Sequence, residues 1–469
     1  NRGLYTGRPA GAFLRRFRRG AGCDRRGPTP SLSVNRRLSP LGLGILLLAT
    51  ASPAGDLAGR DRRYLKGVYR DTWACLAHFV GEGSGLPYDS ARRLPSTSLT
   101  NVGLYLAATA VAARTGLLTD DEARARLDRA LTSLVKIERW GYGFPVTWVN
   151  VDTLEPTENQ FSTVDHLSHL VGGLLVVKGL FPEYAPTVDD VLQPMDWGGL
   201  YDPARRWLKG GWRRDRKDFD VRQKGWDWYY SYVGADTRFG YVYGIGRGQI
   251  PPESWSALNH DREKKHGLSY FVPGWQGGGL FMQMVSGLFV DEKPSALGRS
   301  AADFAWAQTL HARSLGSPVW GWSACESPDG KSYLGWGHID DAVVTPHAAA
   351  LAAVYYPRQA TENLRRLEKM GVRAPWDGGA DGRRPFGFRD SLNWKTGEVS
   401  GNYLSLDQGM LFLALANTLH DGIVWKAVAQ DPTVRRGVEA ISDFAGDPAS
   451  PAEYRRRDAE PFLLPPAGR

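Results

Sequence analysis

Six stretches of this 469-residue chain set an acidic side chain among aromatic, glycine or hydroxyl-bearing neighbours. Asp165 follows Phe161-Ser-Thr-Val and precedes His166. Asp236 ends the run Tyr229-Tyr-Ser-Tyr-Val-Gly-Ala and precedes Thr237-Arg238. Glu326 and Asp329 follow Trp320-Gly-Trp322, and Asp340-Asp341 are adjacent. Asp390 lies in Phe386-Gly-Phe-Arg-Asp390-Ser-Leu-Asn393, and Asp407 in Asn402-Tyr-Leu-Ser-Leu-Asp407-Gln408. A single acid in such a run is costly to bury without a partner or a purpose. The chemistry open to such groups is proton transfer: one carboxyl held protonated by burial or a like-charged neighbour, a second held ionised. Glycosidic bonds are cleaved by such a pair, set about 5–5.5 Å apart for retention or about 6.5–9.5 Å apart for inversion. The catalytic candidates are Asp236, Asp390, Asp407 and Glu326. Each acid also has a plainer reading: Asp165 as a charge favouring a helix N-terminus, Asp341 as a helix cap.

The aromatic content points the same way. The chain has 17 Trp and 19 Tyr against 9 His and 3 Cys. Many rings sit beside Gly, Asp or Asn, as in Trp140-Gly-Tyr-Gly-Phe144 and Trp226-Asp-Trp228. Flat rings on loops suit the apolar faces of sugars, although any one of them could instead fill space between helices. Candidate substrate contacts are Trp140, Trp148, Trp228, Trp275, Trp322 and Trp336, with Asp165, His166, Asn393 and Gln408 as polar partners.

Rival chemistries lack their signatures. The sequence has no His-Glu-x-x-His, no Gly-x-x-x-x-Gly-Lys-Ser/Thr phosphate loop and no Gly-x-Ser-x-Gly elbow. Gly277-Gly-Gly279 opens an apolar segment with no strand before it, which favours close backbone approach over nucleotide binding. His166, His169, His338 and His347 lack the spacing of a metal site, so neither metal nor cofactor is expected. Cys75 and Cys325, outside the leader, suggest no disulfide framework. The net charge of +8 is carried by residues 1–51, which alone sum to +9; the remainder sums to −1, too little for a nucleic-acid groove. That leader reads as targeting. Arg36-Arg37 precede the apolar run Leu41–Leu48, and Ala49-Thr-Ala51 supplies a small-x-small cleavage site. The run is too short to span a bilayer. A signal peptide at about 35–51 and a periplasmic or secreted location are the expectations; an Arg-rich tail before a buried helix is the alternative.

The elements that must position these residues are helical. Helical spacing of apolar residues predicts helices over 64–79, 101–115, 121–138, 162–179, 227–244, 277–290, 297–312, 342–355, 358–369, 403–419 and 430–445. Almost no period-2 alternation nominates a sheet. The connections 139–161, 181–225, 313–341 and 370–402 are long, and loops of such length usually carry function. Paired helices with functional loops at one end predict an all-α (α/α)6 barrel, a toroid with its cleft at one end. One domain is expected over 60–450, with a Pro/Arg-rich tail at 451–469.

The ordered motifs resemble the glucoamylase-like (α/α)6 superfamily, which includes bacterial endo-β-1,2-glucanases and the cyclising domain of cyclic β-1,2-glucan synthases. Thr97-Ser-Leu-Thr-Asn-Val-Gly-Leu-Tyr-Leu106 is similar to that group's Thr-Ser-Pro-Thr-Asn-Ile-Gly-Leu-Tyr-Leu. Glu138-Arg-Trp140, Asp152-Thr-Leu154, Ser162-Thr-Val-Asp165, Gly277–Gly279, Trp320-Gly, Val344-Thr-Pro346, Gly387-Phe-x-Asp390 and Tyr403-Leu-x-Leu-Asp407-Gln-Gly409 follow in order over roughly residues 64–428. The resemblance implies hydrolysis or transglycosylation of a β-glucan without a required metal. It assigns the general acid to Asp236, where relatives usually carry Glu, with Asp390 or Asp407 activating water and Asp165 holding sugar hydroxyls. Met282 and Ala324 depart from the group's Gly-Ser-Met-Phe-Glu and Trp-Gly-x-Ser-Glu patterns, and Glu326 could compensate for the latter. The expectation is a glycoside hydrolase, endo-acting on β-1,2-glucan or a related bacterial polysaccharide. The alternatives are a noncatalytic glycan-binding protein of polysaccharide biosynthesis or export, and a polysaccharide lyase.

Overall fold

The computed structural model describes residues 57–157, 162–213, 216–220, 222–223, 226–275, 277–335, 342–377, 383–447 and 449–466. The leader, Trp336, His338 and Asp340-Asp341 lie outside the described residues. Sixteen α-helices occur among the described residues: α1 Gly59–His78, α2 Leu99–Arg114, α3 Asp120–Lys136, α4 Val164–Leu180, α5 Ala185–Leu192, α6 Trp197–Leu200, α7 Arg238–Gly246, α8 Glu253–Ser256, α9 Gly279–Met284, α10 Ala296–Leu315, α11 Pro346–Ala352, α12 Pro357–Lys369, α13 Ser405–Leu419, α14 Ile423–Val428, α15 Pro432–Glu439 and α16 Ser450–Asp458.

The helices sort into two rings by their sequence pattern. Almost every residue of α2, α7, α11 and α13 is buried, and α4 and α9 are mostly so. A helix apolar all round belongs inside. α2 packs on α4, α4 on α7, α9 on α11, α11 on α13, and α13 closes back onto α2. The link between α7 and α9 is polar: Arg238 donates to the Met282 and Gln283 carbonyls at 3.3 and 2.6 Å. Helices with one apolar stripe and a charged face, such as α3 and α12, lie outside this ring: α3 packs on α2 and α12 on α11. This is the (α/α) toroid expected from the sequence.

Two glycines set the spacing of the tightest inner pair. A Cβ on Gly103 would lie 2.6 Å from the His169 carbonyl oxygen, and one on Gly173 would lie 2.0 Å from that of Gly103. Only bare backbone permits this approach of α2 to α4. It brings the first turns of the two helices into hydrogen-bonding range.

The segments leading into the inner helices are pinned by short antiparallel ladders. Thr97-Ser98 pair with Val149-Trp148, Ser162-Thr163 with Trp212-Gly211, and Val343-Val344 with Asn393-Leu392. Gly279 bridges Ser323, and Ser90 bridges Leu404. Strands of two to four residues are too short to show alternation, which is why the sequence pattern did not reveal them.

Three expectations change. Residues 227–237 form short strands and a turn rather than a helix, so α7 begins only at Arg238 and Asp236 sits just before it. Tyr229-Tyr230 pair instead with Lys209-Leu208 at the edge of a three-stranded sheet. The helices expected over 277–290 and 342–355 shrink to α9 with a 3-10 turn and to α11. Finally, the segment from 451 is largely structured. Asp458 of α16 accepts from the Arg358 and Gln359 N–H groups that open α12, at 2.9 and 3.0 Å, and Arg457 is paired with Asp303 at 2.6 Å.

Candidate active site

Inner helices α2, α4, α7, α11 and α13 begin near one another in the sense that their first turns share polar contacts. A helix start exposes unpaired N–H groups and the positive end of its dipole, so it is where acids and hydroxyls are placed most cheaply. Two groups of buried acids occupy these starts.

The first group joins α2, α4 and α7. Thr100, in the first turn of α2, lies 2.8 Å from His166 Nδ1 and 3.0 Å from His169 Nδ1. Burial pushes both histidines below their ordinary range, His169 to about 4, so both are neutral near pH 7. Asp165, beside them, is pushed up by burial, but His166, Thr163 and the His166 N–H outweigh this and hold it ionised. Asp236 is 6% exposed. Burial, then the Asp165 charge, pushes its carboxyl up to about 8 against the opposing Arg238 charge, so it holds its proton at neutral pH. The Tyr230 phenol hydrogen-bonds Asp165 and is pushed up by burial, then by the charges of Asp165 and Asp236. Two neighbouring carboxyls with opposite shifts are the arrangement that separates an acid from an ionised partner.

The turn bearing Asp236 is held from behind. Ser286 Oγ donates to the Asp236 carbonyl at 2.7 Å. Arg238 forms a two-pronged pair with buried Glu292, Nε to Oε1 at 2.7 Å and Nη2 to Oε2 at 2.6 Å, and also donates to the Ala235 carbonyl.

The second group joins α11, α13 and two loops. Asp407, in the first turn of α13, and Asp390 face each other; the Asp390 carboxyl, pushed well up by burial and by the Asp407 charge, shares a hydrogen bond with Asp407. Burial pushes Asp407 up to about 7, the Asp390 hydrogen bond opposes this, and the charges of Asp89 and Glu326 add to it. Asp390 Oδ2 also accepts the Glu326 N–H at 2.5 Å. His347 Nδ1 shares a hydrogen bond with Thr345 Oγ1 at 2.7 Å and lies 3.3 Å from Asp407 Oδ2; burial pushes this histidine to about 4, so near neutral pH the contact with Asp407 is that of a neutral ring rather than an ion pair. Asp390, Asp407, His347, Gln408 and Phe388 surround a narrow crevice with no room for a water molecule.

The remaining candidates divide. Glu326 is paired with Arg92 at 2.6 Å and accepts from Ser400 Oγ at 3.1 Å, which makes it a brace for Asp390 rather than a free acid. Gln408 donates to the Phe388 carbonyl at 2.9 Å. Asn393 Oδ1 accepts from the Lys395 and Thr396 N–H groups, a turn-forming role. Asp329 is held at about 2 by Ser327 and the Lys331 N–H in an outer turn. Trp148, partly exposed, meets His166 edge-on at 5.8 Å between centroids and borders the first acid group. Trp275 and Trp322 are instead 4% and 0% exposed, packed against each other and His311, so their faces are spent on the core. Trp140 and Trp228 are also buried. Gly278 and Gly279 take left-handed φ of 91° and 63°, and a Cβ on Gly279 would lie 2.2 Å from the Trp322 carbonyl oxygen, the close approach expected of this glycine run. Among the described residues no cluster of three His, Cys, Asp or Glu could hold a metal. None of the described helices is long and apolar enough to cross a membrane.

Sequence reasoning missed Asp89. It lies in the loop between α1 and α2, accepts from Asn101 Nδ2 at 2.9 Å, and its charge acts on both His166 and Asp407. The loop sequence Gly85-Leu-Pro-Tyr-Asp89 carries no local signal of this; the contact depends on α13, more than 300 residues away.

Residues 235–432 match the family model described as "Putative glucoamylase", and residues 68–236 match one described as a protein of unknown function, DUF3131. The two matches meet at Asp236. A Bacteroides caccae protein that carries the same glucoamylase description superposes with a TM-score of 0.69 at 19% identity, over 81% of this chain and 99% of that one. The endo-β-1,2-glucanase of Chitinophaga pinensis, solved with sophorotriose and glucose, gives 0.68 at 16% identity over 82% and 98%. That of Talaromyces funiculosus gives 0.60 at 12% over 89% and 97%. A cyclic β-(1,2)-glucan synthase of Rhizobium meliloti is 25% identical over 268 residues, which is 52% of this chain but only 9% of that protein.

Proposed function

We propose that the chain, of which residues 235–432 match the putative glucoamylase model and whose fold is shared with endo-β-1,2-glucanases, is a glycoside hydrolase acting on a β-glucan, endo-acting on β-1,2-glucan, by a carboxyl pair at the inner-helix starts. The observation that carries this reading is the pair of perturbed acids: Asp236 protonated up to about 8 and Asp407 at about 7. Asp236 donates its proton to the departing glycosidic oxygen. Asp407, kept ionised by the proton that Asp390 holds, takes a proton from the attacking water. Asp165 accepts sugar hydroxyls while its charge keeps Asp236 protonated. The Arg238–Glu292 pair and Ser286 fix the turn that aims Asp236. General acid and base contributions of this kind are each worth roughly 10²–10⁴ in rate. The β-1,2 linkage rests on the solved relatives, two of which are named endo-β-1,2-glucanases. A periplasmic or secreted location fits a polysaccharide substrate and the leader's composition.

The test is a panel of linear β-1,2-, β-1,3- and β-1,4-glucans and uronate polymers, assayed for new reducing ends and for absorbance near 235 nm. Reducing ends from β-1,2-glucan alone support the proposal. Unsaturated ends would replace it with a lyase, and binding without turnover with a glycan-binding protein.

A further inference from the structure

One hydroxyl joins the first turns of α2 and α4. Thr100, 3% exposed, places Oγ1 2.8 Å from His166 Nδ1 and 3.0 Å from His169 Nδ1. His166 and His169 stand one helical turn apart, so their rings leave α4 on one face. The bare backbones of Gly103 and Gly173 let α2 come close enough for a threonine to reach both. Among the described residues Thr100 Oγ1 has no third partner. A hydroxyl carries one proton and two lone pairs, and a neutral imidazole carries one N–H. Burial lowers both histidines, His169 to about 4, so both rings are neutral near pH 7. Were both Nδ1 atoms protonated, the threonine proton would be buried without an acceptor. Were both bare, one nitrogen lone pair would face those of the hydroxyl oxygen at hydrogen-bond distance. The arrangement that satisfies all three atoms has Thr100 accepting from one ring and donating to the other.

We propose that Thr100 is a positioning residue of the site, its one hydroxyl proton locking His166 and His169 into opposite tautomers and so fixing how His166 meets a glucan hydroxyl. The part played by the glucan rests on the function proposed above; the lock does not. His169 is 1% exposed, and its Nε2 has no partner among the described residues, so this ring meets protein alone. His166 is partly exposed beside Trp148. Its Nδ1 is taken by Thr100, and its main-chain N–H donates to Asp165 Oδ1 at 2.8 Å. Nε2 is therefore the His166 ring nitrogen left for substrate. With the tautomer fixed, that atom offers a sugar hydroxyl a single hydrogen-bonding sense, and no proton has to be rearranged on binding. A ring free to exchange tautomers would lose affinity by the fraction in the wrong form.

The experiment compares wild type, Thr100→Val and Thr100→Ser, each labelled with 15N-histidine, at pH 7. Long-range proton–nitrogen spectra report which ring nitrogen holds the proton, and H166Q and H169Q assign the two rings. The expected result is one Nδ1–H ring and one Nε2–H ring in wild type and T100S. In T100V, which keeps the shape but has no hydroxyl, the opposite pairing is expected to disappear. The same tautomer on both rings of wild type, or an unaltered opposite pair in T100V, overturns the inference. On linear β-1,2-glucan T100V is expected to raise KM about tenfold with little change in kcat, and T100S to restore it. A T100V protein that loses Tm with KM unchanged makes Thr100 structural and overturns its part in binding. If wild type turns over no glucan, the functional reading fails, while the spectra still decide the tautomer lock.

Discussion

The chain buries acids in two regions and treats them in opposite ways. In one set, each buried acid meets a cation or a helix start. Glu292 is forked by Arg238; Asp303 is held by Arg457 at 2.6 Å and Arg299 at 3.5 Å; Asp71 is held by Arg373 at 2.6 Å. Asp458 caps α12 through two N–H groups. At the inner-helix starts, by contrast, among the described residues no lysine or arginine forms an ion pair with Asp236, Asp390 or Asp407. Their nearest polar partners are other carboxyls, neutral histidines and main-chain groups. Paired acids are structural, because removing one partner strands a charge. Unpaired ones cost stability, and three of them at the inner-helix starts are the pattern expected of a site kept for proton chemistry.

That contrast can be broken by substitution. The largest effects are expected from D236N and D407N, each lowering kcat on β-1,2-glucan by about 10³-fold or more while leaving the fold intact. Loss of less than tenfold in both would remove the carboxyl pair from the mechanism. In the cation-paired class, E292Q is expected to cost about 3–5 kcal/mol in chemical denaturation, since it leaves buried Arg238 without a counter-charge, and D303N less, since Arg457 and Arg299 keep Glu453. An unchanged midpoint would mean that these pairs are not the frame.

The smallest effect has the opposite sign. Asp236 has a folded value of about 8, far above its ordinary 3.8, so folding binds its proton more tightly. Its contribution is fully present below the unfolded value and is lost as pH rises through the folded one. D236N removes a group that strains the fold near pH 7 and is expected to stabilise it by about 1–2 kcal/mol, read as a Tm increase that grows from pH 5 to pH 9. A Tm decrease would place Asp236 with the structural acids.

Much of this was legible in the sequence, for stated physical reasons. Runs such as Leu104–Ala108 and Leu170–Val177 are apolar on every face, which marks buried helix. Asp165, Asp236, Asp390 and Asp407 stood out because acids in such company need an explanation. The aromatic platforms were less legible. Trp275 and Trp322 lie beside glycine like sugar-binding rings, yet those glycines serve close backbone packing, and the rings fill the core. Asp89 was illegible because its partners come from α2 and α13, a juxtaposition made only by closing the ring. Glu326 reads in sequence as a catalytic candidate because its partner Arg92 lies more than 200 residues away.

The central claim is that Asp236 works protonated and Asp407 works ionised, and the pH dependence of kcat/KM on β-1,2-glucan tests it most directly. The account predicts a narrow bell, its acidic limb near 7 from Asp407 and its basic limb near 8 from Asp236. A broad optimum near pH 5 with both limbs in the ordinary carboxylate range would contradict it.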